Sequence, residues 1–211
     1  MNKISKTFLA VICMLSFFTV HADMIEMKFS EVSSPNATLW GAYIPGIGTA
    51  NPVAGQYMLE IKGQDELVEG FCVDPTIIPT PYSFHEYEIV SLDNYSNEDI
   101  FKAAWLWDNT GDYNSDLVST QVAIWDVMFG NDFTYDVYDL NFSQRNNLTS
   151  MSEALNNAQL NNAYLNSYYA VAQTDESQDF LIRRTPVPEA GTILMLVLGL
   201  GCCTLYRKKR S

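Results

Sequence analysis

The sequence predicts an α+β protein with a single membrane helix at its C-terminus. Segments typical of β-strands fill the first part of the chain, helical segments follow, and one more strand-like segment precedes the C-terminal tail. Strands followed by inserted helices and a closing strand are typical of an α+β domain. The chain then ends on an apolar stretch, 191–206, and a basic cluster, which together predict the membrane helix.

Alternating apolar and polar residues predict the strands. The expected segments are 25–29, 57–61, 70–74, 84–91 and, after the helices, 179–183. Three prolines, at 75, 79 and 81, prevent the third strand from continuing, because proline has no backbone N–H for a sheet ladder.

Helical patterns occupy the middle of the chain. Residues 97–99 offer a cap and first-turn acids for a helix through 101–107. Ser115 and Asp116 precede a second helix, Leu117–Phe129, in which apolar residues recur at helical spacing. A third helix is expected over 152–173.

The first 22 residues have the pattern of a secretion signal. Lys3 and Lys6 supply the positive start, an apolar run of about 13 residues follows, and small residues stand where a signal peptidase reads. A retained membrane helix is the alternative, but the run is well short of the ~20 residues that span a bilayer. We therefore expect cleavage after Ala22 and an exported protein that begins at Asp23.

The C-terminus combines a Pro188-Glu189-Ala190 box, the apolar stretch and the basic cluster. The cluster consists of Arg207, Lys208, Lys209 and Arg210. As a helix of ~1.5 Å rise per residue, the stretch measures about 24 Å, which is marginal for a ~30 Å hydrocarbon core. The basic end would stay in the cytoplasm by the positive-inside rule, and a plain tail anchor is one interpretation.

The order of these three elements resembles the PEP-CTERM sorting signal of Gram-negative bacteria. In that family an exosortase is thought to cleave at a Pro-Glu-Pro box, whose final proline is Ala190 here. The resemblance implies an exosortase-type enzyme and the inner membrane as partners. It also implies an anchored form that later reaches the cell surface or extracellular matrix. The domains expected are a signal peptide (1–22), an extracytoplasmic body (23–185) and a sorting signal (186–211).

The charge of the body argues against two classes of partner, nucleic acid and anionic lipid. Every acidic residue of the chain except Glu189 lies in 23–185, with only six of the 12 lysines and arginines. So acidic a surface repels nucleic acid and anionic lipid. The plentiful aromatic residues, 13% of the chain, argue against disorder.

A solitary cysteine stands out in a protein that is expected to be exported. Of four cysteines, one lies in the predicted signal peptide and two in the C-terminal stretch, so only Cys72 belongs to the body. Exported proteins normally pair their cysteines, which makes an unpaired one unusual. A buried inert thiol, an intermolecular disulfide and another covalent bond are the three explanations.

Two motifs carry a second resemblance. Cys72 follows an aromatic residue on a predicted strand, and Thr120, Gln121 and Trp125 form a T-Q-x-A-hydrophobic-Trp motif in the second helix. This combination resembles the thioester (TQXA) domains of surface adhesins. The resemblance implies a β-sandwich-like body with an inserted helical part. It also implies a Cys–Gln thioester, formed with loss of ammonia, that a surface or matrix nucleophile opens to give a covalent attachment.

The bonding glutamine in that family belongs to a hydrophobic-Gln-x-hydrophobic-hydrophobic motif near the end of the domain. Of seven glutamines in the body, Gln178 fits most of this pattern, with a departure at Ser177. The resemblance thus assigns the thioester to Cys72 and Gln178. Thr120, Gln121 and Trp125 form the supporting shell, with the Gln121 amide bonded to the strand that carries Cys72. The alternative is a non-covalent surface or matrix protein with the same fold and an inert thiol.

The body has few candidate residues for a metal site or a catalytic triad. His85 is the only histidine of the body, so a histidine-based metal site or catalytic triad is not expected. Four residues of one loop have oxygen ligands for Ca²⁺: Asp108, Asp112, Asn114 and Asp116. They lack the spacing of an EF-hand, which favours a solvated turn with a helix cap. We therefore expect no metal, no cofactor and no enzyme activity.

Overall fold

A computed structural model describes residues 23–75 and 83–184. Within these ranges the strands are β1 (Asp23–Val32), β2 (Ala37–Thr38), β3 (Ala42–Ile44), β4 (Gly48–Ala50), β5 (Val53–Ala54), β6 (Tyr57–Ile61), β7 (Leu67–Asp74), β8 (His85–Ser91), β9 (Tyr169–Gln173) and β10 (Asp179–Arg183). The helices are α1 (Ile100–Asp108), α2 (Leu117–Phe129), α3 (Phe142–Asn156) and α4 (Asn162–Tyr168). The predicted signal peptide and sorting signal, with Pro188, Glu189, Ala190 and the basic cluster, lie outside the described residues.

Six antiparallel strands form a closed barrel in the order β1-β6-β7-β10-β9-β8. The first strand closes it, because β1 is long enough to pair with two neighbours along different halves of its length. Its first half pairs with β8 and its second half with β6, and Met27 takes part in both ladders. A register shift between Phe29 and Glu31 bends the second half, as β-bulges do.

The helices follow β8 and precede β9 in the chain, and α2 is their centre. It packs against α1, α3, β7 and β5. Most of its residues are buried, including three consecutive polar ones, Ser119, Thr120 and Gln121. A helix buried on all sides belongs to the interior of a domain. The barrel and the helical layer accordingly share one continuous hydrophobic core.

The predicted β-sandwich-like body with a C-terminal membrane helix is wrong as a description of this architecture. The sheet curls into a closed barrel, and no helix within 23–75 and 83–184 is long and apolar enough to cross a membrane. The segment expected to span the membrane, 191–206, lies outside those ranges. The sequence does not predict closure of the barrel, because closure depends on which strands pair with β1. The alternation of apolar and polar residues along β1 would be the same in a sandwich and in a barrel.

The predicted third helix, 152–173, is wrong at both ends. Helix α3 begins ten residues earlier, at Phe142, where Asn141 and Gln144 form a reciprocal capping box. It ends at Asn156, and β9 occupies the last five positions of the predicted helix. The first four residues of β9 are all buried, so periodicity does not distinguish this short apolar run from a helix.

Three segments near the expected thioester were predicted correctly. The strand around Cys72 is β7, helix Leu117–Phe129 has the expected bounds, and the closing strand is Asp179–Arg183. The predicted cap of the second helix is also present, since the Asp116 carboxylate accepts a hydrogen bond from Ser119 N at 3.1 Å.

Candidate functional site

Cys72 lies on β7 with no exposed surface and no disulfide. Its neighbour across the ladder is Phe180 of β10. Phe180 packs its ring against Tyr57 and Tyr87, which belong to other strands of the barrel. Paired residues of an antiparallel ladder project to the same face of the sheet, so the Cys72 thiol shares the barrel-side face with Phe180. Phe71 projects the other way and packs on Trp107 of α1.

Gln121 binds the backbone of Cys72 from helix α2. Its Oε1 accepts a hydrogen bond from Cys72 N at 2.9 Å, and its Nε2 donates to Cys72 O at 2.8 Å. Strand β6 pairs with β7 only as far as Gly70, so beyond Gly70 no strand pairs with β7 on that side, while β10 continues on the other. The Gln121 carboxamide takes the place of the missing peptide group. The predicted hydrogen bonding between Gln121 and the strand of Cys72 is confirmed.

Trp125, one turn further along α2, is fully buried beside the thiol. Burial raises the pKa of Cys72 far above its ordinary value, and the Trp125 N–H and the negative charge of Asp74 modify that shift in opposite directions. The indole N–H is buried and has no regular hydrogen-bond partner among the described residues. The result is a neutral, water-excluded thiol.

Gln178 immediately precedes β10 and is 6% exposed. Its carbonyl oxygen, Oε1, is buried and has no hydrogen-bond partner among the described residues. Gln178 stands two positions before Phe180, the partner of Cys72, and the β7–β10 ladder has a register shift between Asp179 and Phe180. The shift sets Asp179 opposite Asp74, one position beyond the regular register, so Gln178 lies at an irregular point of the ladder.

Ser177 is buried although it is polar, at a position where the adhesin motif has an apolar residue. It is only 3% exposed, so a buried position that the adhesin motif gives to an apolar residue holds a small hydroxyl here. Burial raises the pKa of Tyr87, and hydrogen bonding by the Ser177 side chain partly opposes that rise. The serine is therefore accommodated because Tyr87 offers its hydroxyl a polar neighbour.

Asp179 is a site residue that sequence reasoning missed. It follows Gln178 directly and pairs with Asp74 across the ladder. Its carboxylate accepts hydrogen bonds from Tyr95 Oη and Thr174 N, both at 3.0 Å. Burial raises its pKa to about 6, and the hydrogen bonds oppose that effect. An acid at the start of an apolar strand was the available signal.

Thr120 supports the helix and not the thiol directly. Its hydroxyl donates to the backbone oxygen of Asp116 at 2.8 Å and lies 3.3 Å from the hydroxyl of Thr110. These contacts fix the start of α2 against the preceding turn. Thr120 thus positions the helix from which Gln121 and Trp125 reach β7.

The acidic loop before α2 is a helix cap. The carboxylate of Asp116 accepts hydrogen bonds from Ser119 and, at 2.9 Å, from Asn147 Nδ2 of α3. No group of three or more potential metal ligands occurs within the described ranges. His85 pairs with Glu176, with 3.1 Å between Nδ1 and Oε2.

A cavity of about 260 Å³ lies beside the predicted glutamine. The described residues that line it are Phe29, Val32, Ile44, Ile47, Ala50, Asn51, Pro52, Val53, Tyr57, Pro75 and Gln178. Gln178 contributes to its wall, but its Oε1 is buried away from the cavity.

Comparison of the chain with protein-family models gave no match, and neither curated proteins nor solved structures gave a significant one. The candidate site is therefore described from the arrangement of its own residues. That geometry combines a buried thiol, a buried carboxamide with an unpartnered oxygen, and a second carboxamide that fixes the thiol's backbone.

Proposed function

We propose that this protein is exported and sorted to the cell surface, where an internal Cys72–Gln178 thioester captures a nucleophile covalently. The observation that carries the proposal is a pair of buried groups, one on β7 and one immediately before the adjacent strand β10. Cys72 is unpaired and has no exposed surface, and Gln178 Oε1 is buried without a partner in the described chain. Thioester chemistry would use the thiol as the nucleophile and the Gln178 carbonyl carbon as the electrophile.

Formation of the bond needs no external reagent. The Cys72 sulfur attacks the side-chain carbonyl carbon of Gln178, the carbon–nitrogen bond breaks, and the amide nitrogen leaves as ammonia with the thiol proton. Since the raised pKa of Cys72 keeps the thiol neutral, that proton needs an acceptor during the attack. The nitrogen of the Gln178 carboxamide is that acceptor, since it departs as ammonia with the thiol proton.

Burial protects the product from hydrolysis. Trp125 has no exposed surface, and Gln121 holds the β7 backbone by two hydrogen bonds. A thioester in such an environment persists until a nucleophile enters. That nucleophile then forms a bond to the Gln178 carbonyl carbon, and the sulfur leaves as the Cys72 thiol.

Methylamine tests the reactivity. The mature protein should gain one methylamine on Gln178, located by peptide mass spectrometry, and one thiol should become titratable after denaturation. Neither the Cys72→Ala nor the Gln178→Ala variant should gain methylamine, and Gln178→Ala should show its Cys72 thiol on denaturation whether or not methylamine was added. Absence of the adduct in the wild-type protein, at concentrations that modify a known thioester protein, contradicts the proposal.

The sorting part of the proposal depends on residues 186–210. The Pro188-Glu189 pair, the apolar stretch and the basic cluster support it by their order. In an exosortase-containing Gram-negative host, we expect Glu189→Ala to retain the protein in the inner-membrane fraction, while the wild type reaches the surface or the medium. Equal distribution of the two proteins would contradict sorting at this box.

A non-covalent surface or matrix protein with the same fold is the second candidate. The specific observation in its favour is the strongly raised pKa of Cys72, which disfavours the thiolate that attacks most readily. In that case Cys72 is a small apolar core residue. The Gln178→Ala variant and the wild type would then show the same thiol content after denaturation.

A further inference from the structure

Two touching segments of the chain carry an exposed aromatic patch that includes none of the candidate thioester residues. Nine large apolar side chains within the described ranges are exposed, and five of them come from these two segments. The patch consists of Trp40, Tyr43, Val137, Tyr138 and Phe142. Apolar side chains that are exposed singly are ordinary, whereas a group of them on one surface marks an interaction site.

Hydrogen bonds hold the two segments side by side. The Asp139 carboxylate accepts from Trp40 N at 2.6 Å. Tyr43 N donates to Thr134 O at 2.7 Å and Thr134 N donates to Tyr43 O at 3.2 Å, which makes an antiparallel bridge. Tyr138 adjoins Asp139 in the same short 3₁₀ turn. The patch therefore has a fixed backbone beneath it, built from both segments.

The largest side chains of the patch are the most open to solvent. Tyr138 is 81% exposed, Phe142 72% and Trp40 66%. Phe142 is the first residue of α3, so its backbone is fixed by the helix and its ring is not. Tryptophan and tyrosine are the side chains that most often dominate the binding energy of a protein interface.

One ring of the patch already binds a cation of its own chain. The guanidinium carbon of Arg145 lies 5.5 Å from the centroid of the Tyr138 ring, within the range of about 6 Å for a cation–π contact. Arg145 Nη1 also donates to Leu140 O at 3.1 Å, which holds the guanidinium in place. Since Tyr138 keeps most of its surface exposed with this contact made, its ring has room for a further cation.

Carboxylates border the same rings. The carboxylate of the exposed Asp136 accepts from Tyr138 N at 2.9 Å, and that of Asp139 bonds to Trp40 N. The whole chain has 25 acidic residues against 12 lysines and arginines, so a second copy would bring like charges to this surface. A basic partner gains at the rings and at the carboxylates together, and charge complementarity therefore favours it.

We propose that the aromatic patch docks a basic segment of a partner protein, with arginine side chains stacked on Trp40 and Tyr138 beside the carboxylates of Asp136 and Asp139. This docking is non-covalent and does not depend on the thioester. Arginine suits the surface better than lysine, because its planar guanidinium stacks on a ring while its N–H groups bind a carboxylate.

The test measures how two short fluorescein-labelled peptides bind the wild-type mature protein, by fluorescence anisotropy. One peptide alternates arginine with glycine and the other lysine with glycine, so their charges are equal. Physiological ionic strength screens the long-range attraction between the peptides and the acidic surface. We expect the arginine peptide to bind at least about fivefold more tightly. Equal affinities, or no binding of either peptide, overturn the proposal.

Uncharged substitutions show whether the patch is the binding surface. Trp40→Ala and Tyr138→Ala leave the net charge unchanged, and each should weaken binding of the arginine peptide at least about tenfold. Tyr164→Ala is the matched control and should bind as the wild type does. Tyr164 is an exposed tyrosine outside the patch, and its hydroxyl lies 3.4 Å from Asp108 Oδ1.

Two further results overturn the proposal. The first is the same affinity for the arginine peptide in Trp40→Ala, Tyr138→Ala and Tyr164→Ala. The second is a wild-type protein that does not bind the arginine peptide but self-associates, or binds the neutral polysaccharide dextran, in a way that Trp40→Ala abolishes. That result would assign the patch to a second copy of the chain or to a carbohydrate.

Discussion

The side-chain amide of Gln121 hydrogen-bonds both backbone groups of Cys72, at 2.9 Å to the nitrogen and 2.8 Å to the oxygen. The two residues are 49 positions apart in the chain, and neither has exposed surface. Gln121 therefore connects α2 to β7 by hydrogen bonds at the position where β6 no longer pairs with β7. This contact links the helical layer to the barrel at the predicted thioester.

Replacement of Gln121 by leucine should destabilise the protein by about 2–4 kcal/mol, because it leaves a buried donor and a buried acceptor unpaired. Urea unfolding measures the change. Gln64→Leu is the matched control, since Gln64 is exposed and its side chain makes none of the described hydrogen bonds. A control-like effect of Gln121→Leu, within about 0.5 kcal/mol, would refute the bridging role.

The Cys72 thiol should be unreactive in the folded Gln178→Met variant, which cannot form the thioester. Burial and the raised pKa of Cys72 both lower the thiolate fraction that attacks Ellman's reagent. We expect labelling at least about 100-fold slower in the native state than in urea, because the rate depends on the thiolate fraction and on access of the reagent to the sulfur. Fast native labelling would mean that water also reaches the site, which is incompatible with a long-lived thioester.

Stability should fall as the pH rises from about 4 to about 6. Burial raises the pKa values of Asp179 and Asp126 from 3.8 to about 6, so the folded state binds these protons more tightly than the unfolded state. The resulting stabilisation is complete below pH 3.8 and is lost as the pH passes 6. Each group contributes at most about 3 kcal/mol, from roughly 1.4 kcal/mol per pKa unit.

Urea unfolding between pH 4 and pH 8 measures this dependence. Asp126→Asn keeps an oxygen that accepts from Tyr135, whose hydroxyl lies 3.2 Å from the carboxylate. This variant should lose the part of the pH dependence of the unfolding free energy that Asp126 contributes, and it should be more stable than the wild type at pH 7. The exposed Asp65→Asn is the control. An Asp126→Asn protein with the wild-type pH dependence would show that this carboxyl does not titrate as stated.

Asp116→Ala should destabilise the protein by about 2 kcal/mol, because three side-chain or backbone donors lose their acceptor at the start of α2. Addition of millimolar Ca²⁺ should leave the melting temperature of the wild type unchanged, since the loop acts as a cap. A calcium-dependent rise that Asp116→Ala abolishes would instead establish the metal site that the loop composition allows.

The sequence predicted local elements well where a single pattern determined them. Strand β6, helix α2 and strand β10 have the predicted bounds, because alternation and helical spacing are visible within each segment. Strand β9 was missed because its first four residues are all buried, so its two faces do not differ in polarity. Barrel closure was missed because Met27 pairs with both β6 and β8, a long-range relationship that no window of sequence contains.

The candidate site was predicted in the same uneven way. Cys72 was conspicuous as a lone cysteine, and the Gln121 contact followed from the adhesin resemblance. Asp179 and Tyr95 escaped notice because their 3.0 Å hydrogen bond joins positions 84 residues apart. The cavity beside Gln178 also required the structure, since its lining comes from several separate segments of the chain.

The intact mass of the mature protein tests the thioester most directly. We predict that the wild type weighs one ammonia less than its sequence requires. The Cys72→Ala and Gln178→Ala variants, processed at the same termini, should have their full masses. A wild-type protein of full mass, with one thiol that titrates on unfolding, would contradict the thioester and leave Cys72 as a core residue.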